Sequence, residues 1–460
     1  MGYGVITLLP AILVLATAIY SKRVTEALMV GCATSYLIIA YFEHTNPVTL
    51  IVDSFFSIVT DYDTMWLVIV CALFGSLIAV MNAAKGTIAI AKFLGRFCKT
   101  EKSLLFISWL LGVIIFVDDY MNIMTISACT KNLSDERKVP REALAYVIDS
   151  TGAPVCILIP FSTWAIFFAG VFYEYDEVIN LGYGSAMETY YHVIPFMFYA
   201  IAAVFIVPLF ALGIIPKLGA MKKAYERVET TGKVYSDASA KFNKTSAKAD
   251  AIDNGKKPSL IDFVIPIATM IILQLVTDDM FIGIVAAILV AAVLYVPTKK
   301  VKGGDFCDLW MGGFADSIAA VAIIVMALWM KTASSDLGLP EYVIHFVEPL
   351  VTPTVYPLIA FLVVSLLGFI TGSNWGTPAV CAPIIIPLGA ACGANLLIVC
   401  AAIACGGVFC SHACFYSDAT VITSTNCGIE NMDHVYTQLP YAAIAFILAC
   451  IAFLVSGFIF

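Results

Sequence analysis

From Val5 onward the chain is a succession of apolar runs close to bilayer-spanning length, separated by short charged loops. A hydrocarbon core of roughly 30 Å takes about 20 helical residues to cross, and helices are one of the few structures that satisfy their own backbone inside lipid. Composition agrees: 61% of the residues are hydrophobic and 13% charged, against roughly 45–50% and 25% in soluble domains. The expected fold class is therefore an all-α polytopic membrane protein.

Basic residues in short loops mark the cytoplasmic side, and they order the spans. The run from Val5 to Tyr20 has no basic residue before it and is followed by Lys22 and Arg23, so it reads as a first span with its N-terminus outside rather than a cleaved signal. Residues 24–42 exit, an acidic loop with Glu43, Asp53, Asp61 and Asp63 lies outside, and 65–82 returns to a basic stretch from Lys85 to Lys102. Residues 103–130 hold two apolar stretches yet end in a second basic loop, Lys131 to Arg141. The charge rule holds if this segment is a re-entrant hairpin that turns at Asp118–Asn122 within the membrane. Irregular backbone at that depth is tolerated only against protein or a water-filled cavity.

Residues 142–172 cross outward, interrupted by Asp149-Ser150-Thr151-Gly152-Ala153-Pro154, where proline and glycine predict a broken helix. Residues 191–215 return to a loop rich in lysine: Lys217 to Lys257 carries ten of the 25 Lys and Arg. The second half follows the same order with the sides exchanged. Spans at 260–277, 280–297 and 314–332 lead to a hairpin over 354–392 that turns at Thr371-Gly372-Ser373-Asn374-Trp375-Gly376-Thr377. A broken crossing over 394–426 contains Cys410-Ser411-His412 and Ser417-Asp418-Ala419-Thr420, and a last span, 438–459, ends outside. Asp119 and Ser162 fall 255 positions before Asn374 and Ser417. About ten crossings and two hairpins thus form an inverted repeat, residues 1–215 and 259–460, joined by a cytoplasmic linker over 216–258. Inverted repeats with paired broken helices are an architecture of secondary transporters, with the site near the midplane.

At hairpin tips and helix breaks, freed N–H groups, carbonyls and helix ends become available to ions. A hard cation such as Na⁺ needs several oxygens, and Asp118, Asp119, Asn122, Asp149, Ser150 and Thr151 with Gly372, Ser373, Asn374, Thr377, Ser417, Asp418 and Thr420 form the candidate set. The hydroxyl and amide residues can equally serve only to satisfy broken backbone. A water-shielded carboxylate can exchange a proton for a cation, and Asp149 and Asp418, each interrupting an apolar run, suit that exchange. His412 is a third titratable candidate, with hydrogen-bonded packing as its simpler role. Glu430, Asp433 and His434 read as a solvated loop, and Lys331 as a residue at a span end that snorkels outward. With no Lys or Arg at either tip, a cation, monoanion or zwitterion fits better than a dianion. The fourteen cysteines read as small packing residues, with a metal site at Cys410, His412 and Cys414 as the remote alternative. No G-x-S-x-G, H-E-x-x-H or Walker loop occurs, and the G-x-G-D of intramembrane aspartyl hydrolases is missing, so a transporter is expected rather than an enzyme.

At these residues the chain resembles the NhaC-type sodium/proton antiporter family of the ion transporter superfamily. The similarity runs through F-V-D-D-Y-M-N from Phe116, V-P-R-E-A-L-A-Y-V-I-D-S-T-G-A-P-V and P-F-S-T-W ending at Trp164. It continues through D-L-G-L-P-E-Y at Asp336, T-G-S-N-W-G-T at Thr371, S-D-A-T at Ser417 and H-V-Y-T-Q-L-P-Y-A at His434. The resemblance implies a multi-pass protein of a prokaryotic inner membrane that exchanges Na⁺ for H⁺, with relatives that couple these ions to malate and lactate. It also implies a homodimer whose mobile unit carries the hairpins past a scaffold, with no cofactor beyond Na⁺ and no nucleic-acid partner. On this reading Asp149, Asp418, Asn122, Asn374 and Ser373 hold sodium. Family members commonly have Gly-Asp-His where this chain has Cys410-Ser411-His412, and a basic residue with proline where it has Lys131-Asn132. One carboxylate fewer leaves room for a substrate whose own carboxylate completes the Na⁺ shell, so coupled transport of a small carboxylate or amino acid stands as the alternative function.

Overall fold

The computed structural model describes residues 3–460 apart from 22–23, 117, 161, 244–256, 278, 340–341, 343–344 and 346–351. Lys22, Arg23, part of the linker and Pro340–Glu341 therefore lie outside the described residues. Every regular element among those described is helical. The first half runs through α1 (Leu9–Ser21), α2 (Val24–Glu43), α3 (Pro47–Thr60), α4 (Tyr62–Ala83), α5 (Gly86–Leu94), α6 (Glu101–Ile114) and α7 (Asp119–Glu136). It continues with α8 (Arg141–Asp149), α9 (Ala153–Cys156), α10 (Thr163–Phe172), α11 (Asp176–Ile179), α12 (Ala186–Val193) and α13 (Phe198–Ala211), and α14 (Gly219–Thr231) follows in the linker. The second half comprises α15 (Ile261–Thr277), α16 (Met280–Tyr295), α17 (Gly303–Asp316), α18 (Ile318–Asp336), α19 (Tyr356–Thr371), α20 (Gly376–Ala391), α21 (Leu396–Ala413), α22 (Asp418–Cys427) and α23 (Asn431–Ile459).

Four helical stretches among the described residues are long and apolar enough to cross a bilayer unaided: Thr25–Glu43, Thr64–Ala83, Leu396–Cys427 and Asn431–Ile459. A fifth results if the 57° bend between Ala186–Phe196 and Phe198–Ala211 is one broken span. Helix length therefore does not establish the ten expected crossings, because apolar helices such as Met280–Tyr295 and Tyr356–Thr371 are shorter. The outward faces are apolar: Ile447, Ile451, Val455 and Phe458 on α23, and Val276 and Val293 on α15 and α16, are exposed. Such a surface needs a non-aqueous surrounding.

The acidic segment after Glu43, expected as a loop, contains α3. Asn46 accepts from the Val48 N–H at 2.9 Å and Pro47 occupies the first helical position, a strong local start signal that the scattered acids concealed.

At the first hairpin α6 and α7 pack on each other, and Asn122 reaches the Gly112 carbonyl ten residues earlier, so the chain folds back. The irregular residues 115, 116 and 118 come just before the expected turn, because Asp118 caps α7 by accepting from the Met121 N–H at 3.1 Å. At the second, α19 and α20 pack on each other and Thr371 hydrogen-bonds Thr377 across the tip at 2.8 Å. Gly372 ends α19 at φ +69°, where a Cβ would also strike the Tyr416 ring; only glycine suits both demands. The break after Asp149 is longer than expected, reaching Ser162 with the single turn α9 inside it.

Two apolar cores share the helices between them. Trp164, Phe168, Tyr199, Phe361 and Phe453 belong to one, and Tyr36, Phe74, Met270, Tyr295 and Met330 to the other. Helix α8 buries Ala143, Tyr146 and Val147 in the first and Leu144, Ala145 and Ile148 in the second, which sets Asp149 at its end deep in the molecule. In the linker, α14 buries Met221, Ala224, Tyr225 and Val228 at helical spacing and packs on α23 and α8. Arg227 clamps it there through two 2.8 Å bonds to the buried Glu142 carboxylate.

Candidate functional site

Polar residues collect at three places. The first is the start of α22, where the chain leaves the break after α21. Asp418 accepts from the Tyr120 hydroxyl at 2.5 Å through Oδ2, and from Asn374 Nδ2 at 2.8 Å through Oδ1. Tyr120 belongs to the first hairpin and Asn374 to the tip of the second, so one carboxylate ties both hairpins to a broken helix.

Asp418 borders a cavity of about 680 Å³ whose walls include Asp61, Asp118, Tyr120, Lys331, Trp66 and Trp375. Asp118 also accepts from the Thr163 hydroxyl at 3.1 Å. Lys331 does not snorkel away from the site as its position near a span end suggested. It lies across Gly376 at the tip of the second hairpin, where a Cβ would collide with its Cε and Nζ. Trp375 packs on Trp164 at 4.4 Å and on Phe167 at 4.8 Å between ring centroids, so that wall is held from behind.

The second place is Asp119, one residue before Tyr120. Its side chain is fully buried; the indole of buried Trp164 lies beside it without a hydrogen bond of ordinary geometry, and no cationic side chain pairs with it among the described residues. Asn122 donates from Nδ2 to the carbonyls of Gly112 and Ile115, both at 2.7 Å, and of Thr151 at 3.2 Å. It fastens the first hairpin tip to the broken helix, while its own Oδ1 stays unpartnered.

The third place surrounds Asp149, which the structure sets apart from the cavity. Its Oδ2 accepts from Gln438 Nε2 at 2.6 Å and lies 3.2 Å from His434 Nε2. The sequence placed His434 in a solvated loop. It is fully buried in α23 instead, because that helix begins at Asn431, upstream of the expected span. His412 bonds Tyr199 through Nδ1 and Ser150 through Nε2, both at 2.7 Å. With its single hydrogen on the Tyr146 carbonyl, Ser150 accepts from Nε2, so both ring nitrogens have a hydrogen-bond partner.

The remaining candidates direct their side chains at backbone. Thr151 donates to the Val147 carbonyl, and Thr420 to that of Ser411. Ser417 caps α22 and donates to the Ser411 carbonyl, six residues back, at 2.8 Å. Ser162 does the same in the first half, capping α10 and donating to the Cys156 carbonyl at 2.6 Å. Ser373 accepts from the Gly376 N–H three residues on, as Asp118 does from Met121. Cys410 and Cys414 donate to the carbonyls of Gly368 and Phe369, and the described residues contain no group of three His, Cys, Asp or Glu able to hold a metal ion.

Tyr120, Gln438 and Tyr199 escaped notice in the sequence, and Lys331 was noticed but placed at a span end. An apolar helical body with carboxylates meeting at paired chain breaks beside a polar cavity defines a membrane transporter of the secondary type. The chain belongs to the Na⁺/H⁺ antiporter family, whose model matches residues 168–458. A Haemophilus influenzae relative, described only as an uncharacterized protein, is 24% identical over 98% of this chain and 91% of its own length. The Bacillus subtilis malate-2H(+)/Na(+)-lactate antiporter is 25% identical over 34% of this chain and 33% of its own. Among solved structures, Neisseria gonorrhoeae MtrF, described with a class of antimetabolite efflux pumps, shares 15% identity over 84% of this chain and 80% of its own, at a TM-score of 0.38.

Proposed function

We propose that the protein is a sodium/proton antiporter working by alternating access, with Asp418 as the carboxylate at which Na⁺ and proton compete. The observation that carries this reading is Asp418 itself, held by Tyr120 of one hairpin and Asn374 of the other on the wall of the cavity. Any displacement of either hairpin alters the oxygens around that carboxylate, which is how a carrier links ion binding to conformation. Asp119 supports it: a buried carboxylate with no cationic side chain paired to it favours a positive partner, either a proton or a metal cation.

The two halves act in this reading as inverted copies, each with a re-entrant hairpin and a broken helix, in an inner-membrane homodimer whose hairpin unit moves against a scaffold. The bonds of Ser162 and Ser417, and of Asp118 and Ser373, recur at the same 255-residue offset and support the repeat. Reciprocal packing supports it too: α2 lies on α18 and α4 on α16, while α3 meets α18 and α4 meets α17. Asp149, with His434 and Gln438, serves as a second proton-handling carboxylate behind the cavity.

A second reading, exchange coupled to an organic carboxylate, is favoured by Lys331 on the cavity wall and accords with the activity named for the Bacillus subtilis relative. Purified protein in liposomes separates the two. Na⁺-driven proton movement without any organic solute is the expected result, and flux only after an organic solute is added would replace it with the second reading.

A further inference from the structure

We propose that the cavity beside Asp418 binds an organic zwitterion, an α-amino acid or a close relative. Lys331 receives its carboxylate, and the Asp118–Asp418 side receives its ammonium. The inference rests on the secondary-transporter reading and names what such a carrier moves besides its ions.

Size is the first argument. A cavity of about 680 Å³ falls within the roughly 300–1,000 Å³ of small-molecule sites, whereas a bare Na⁺ needs only a shell of oxygens. Charge is the second. The Lys331 ammonium makes no hydrogen bond or ion pair among the described residues, although it is partly buried and pressed against the second hairpin tip. Asp418 lies within electrostatic reach of it, yet no carboxylate among the described residues is bonded to it, so an incoming carboxylate can take up its donors. That tip also begins α20, whose amino end adds positive dipole on the same side.

The same cavity also carries the reverse sign. Asp118 and Asp418 line the same space with Asp61. A solute bearing only a carboxylate would meet these acids, and one bearing only an amine would meet Lys331. A solute with both groups suits both signs. Trp66, Tyr120 and Trp375 supply flat apolar faces for its body and π-faces for its ammonium. Trp66 is fixed through its indole N–H to Asp279 Oδ1 at 3.0 Å, so little ordering remains to be done on binding.

The test is calorimetry and thermal shift on the purified full-length protein in Na⁺ buffer. The probes are the common L-amino acids, each with its des-amino acid and its decarboxylated amine. At least one amino acid is expected to bind and raise the melting temperature, with both of its one-charge analogues weaker by about tenfold or more. Lys331→Gln should remove the advantage of the amino acid over its amine, and Lys331→Arg should retain it, which separates loss of the charge from loss of the fold. An analogue lacking the amino group that binds as tightly as its parent would overturn the proposal, as would a panel in which nothing binds. Na⁺-driven proton flux measured in liposomes without solute reports on the antiporter reading independently: persistent flux with no amino-acid binding overturns only the zwitterion site. Binding without flux overturns only the ion exchange.

Discussion

The Tyr120 hydroxyl donates to Asp418 Oδ2 at 2.5 Å, joining residues 298 positions apart in the chain. Neither half can arrange this carboxylate alone. The first hairpin supplies the phenol, the second supplies Asn374, and α22 supplies the acid.

Tyr120→Phe removes that donor without changing the ring. A hydrogen bond to a charged group contributes about 1.5–3 kcal/mol, so Na⁺-driven proton flux should fall by about tenfold or more while the protein elutes as a folded species. Flux equal to wild type would show that Tyr120 only fills space.

Asp119→Asn keeps the shape of the side chain and removes its need for a positive partner. The melting temperature in detergent should stay level or rise, while Na⁺-driven proton flux drops. A loss of more than about 2 kcal/mol of stability would instead mean that the carboxylate makes a structural bond.

Asn122→Ala strips one donor group from the carbonyls of Gly112, Ile115 and Thr151 together. Carbonyls left unpaired away from water cost about 1–3 kcal/mol, so a loss of about 2 kcal/mol is expected by thermal unfolding. Wild-type stability would show that these carbonyls find other donors.

How far the site could be read from sequence depended on contrast. Asp118, Asn374 and Asp418 stand out because polar groups inside apolar runs have few explanations other than a tip, a cap or a site. The offset of 255 was visible in Ser162 and Ser417, though only the structure shows that both make the same bond six residues back. Lys331 was misplaced because a lysine near a span end usually reaches for water, and only the packing of α18 against the Gly376 tip redirects it. His434 was misplaced because Glu430 and Asp433 resemble a loop, whereas the helix starts there. Asp149 and Asp418 looked equivalent as interruptions of apolar runs. Their surroundings, a dry network of His434 and Gln438 against a cavity wall, are set by which helices meet them, and no local pattern encodes that.

The most direct measurement of the central claim is Na⁺-driven proton flux in liposomes by wild-type protein and by Asp418→Asn, with Asp149→Asn alongside and folding checked for each. Wild type should move protons in response to a Na⁺ gradient with no organic solute present, and Asp418→Asn should move none above empty liposomes. Undiminished flux in Asp418→Asn would contradict the assignment of ion exchange to the carboxylate that Tyr120 and Asn374 hold.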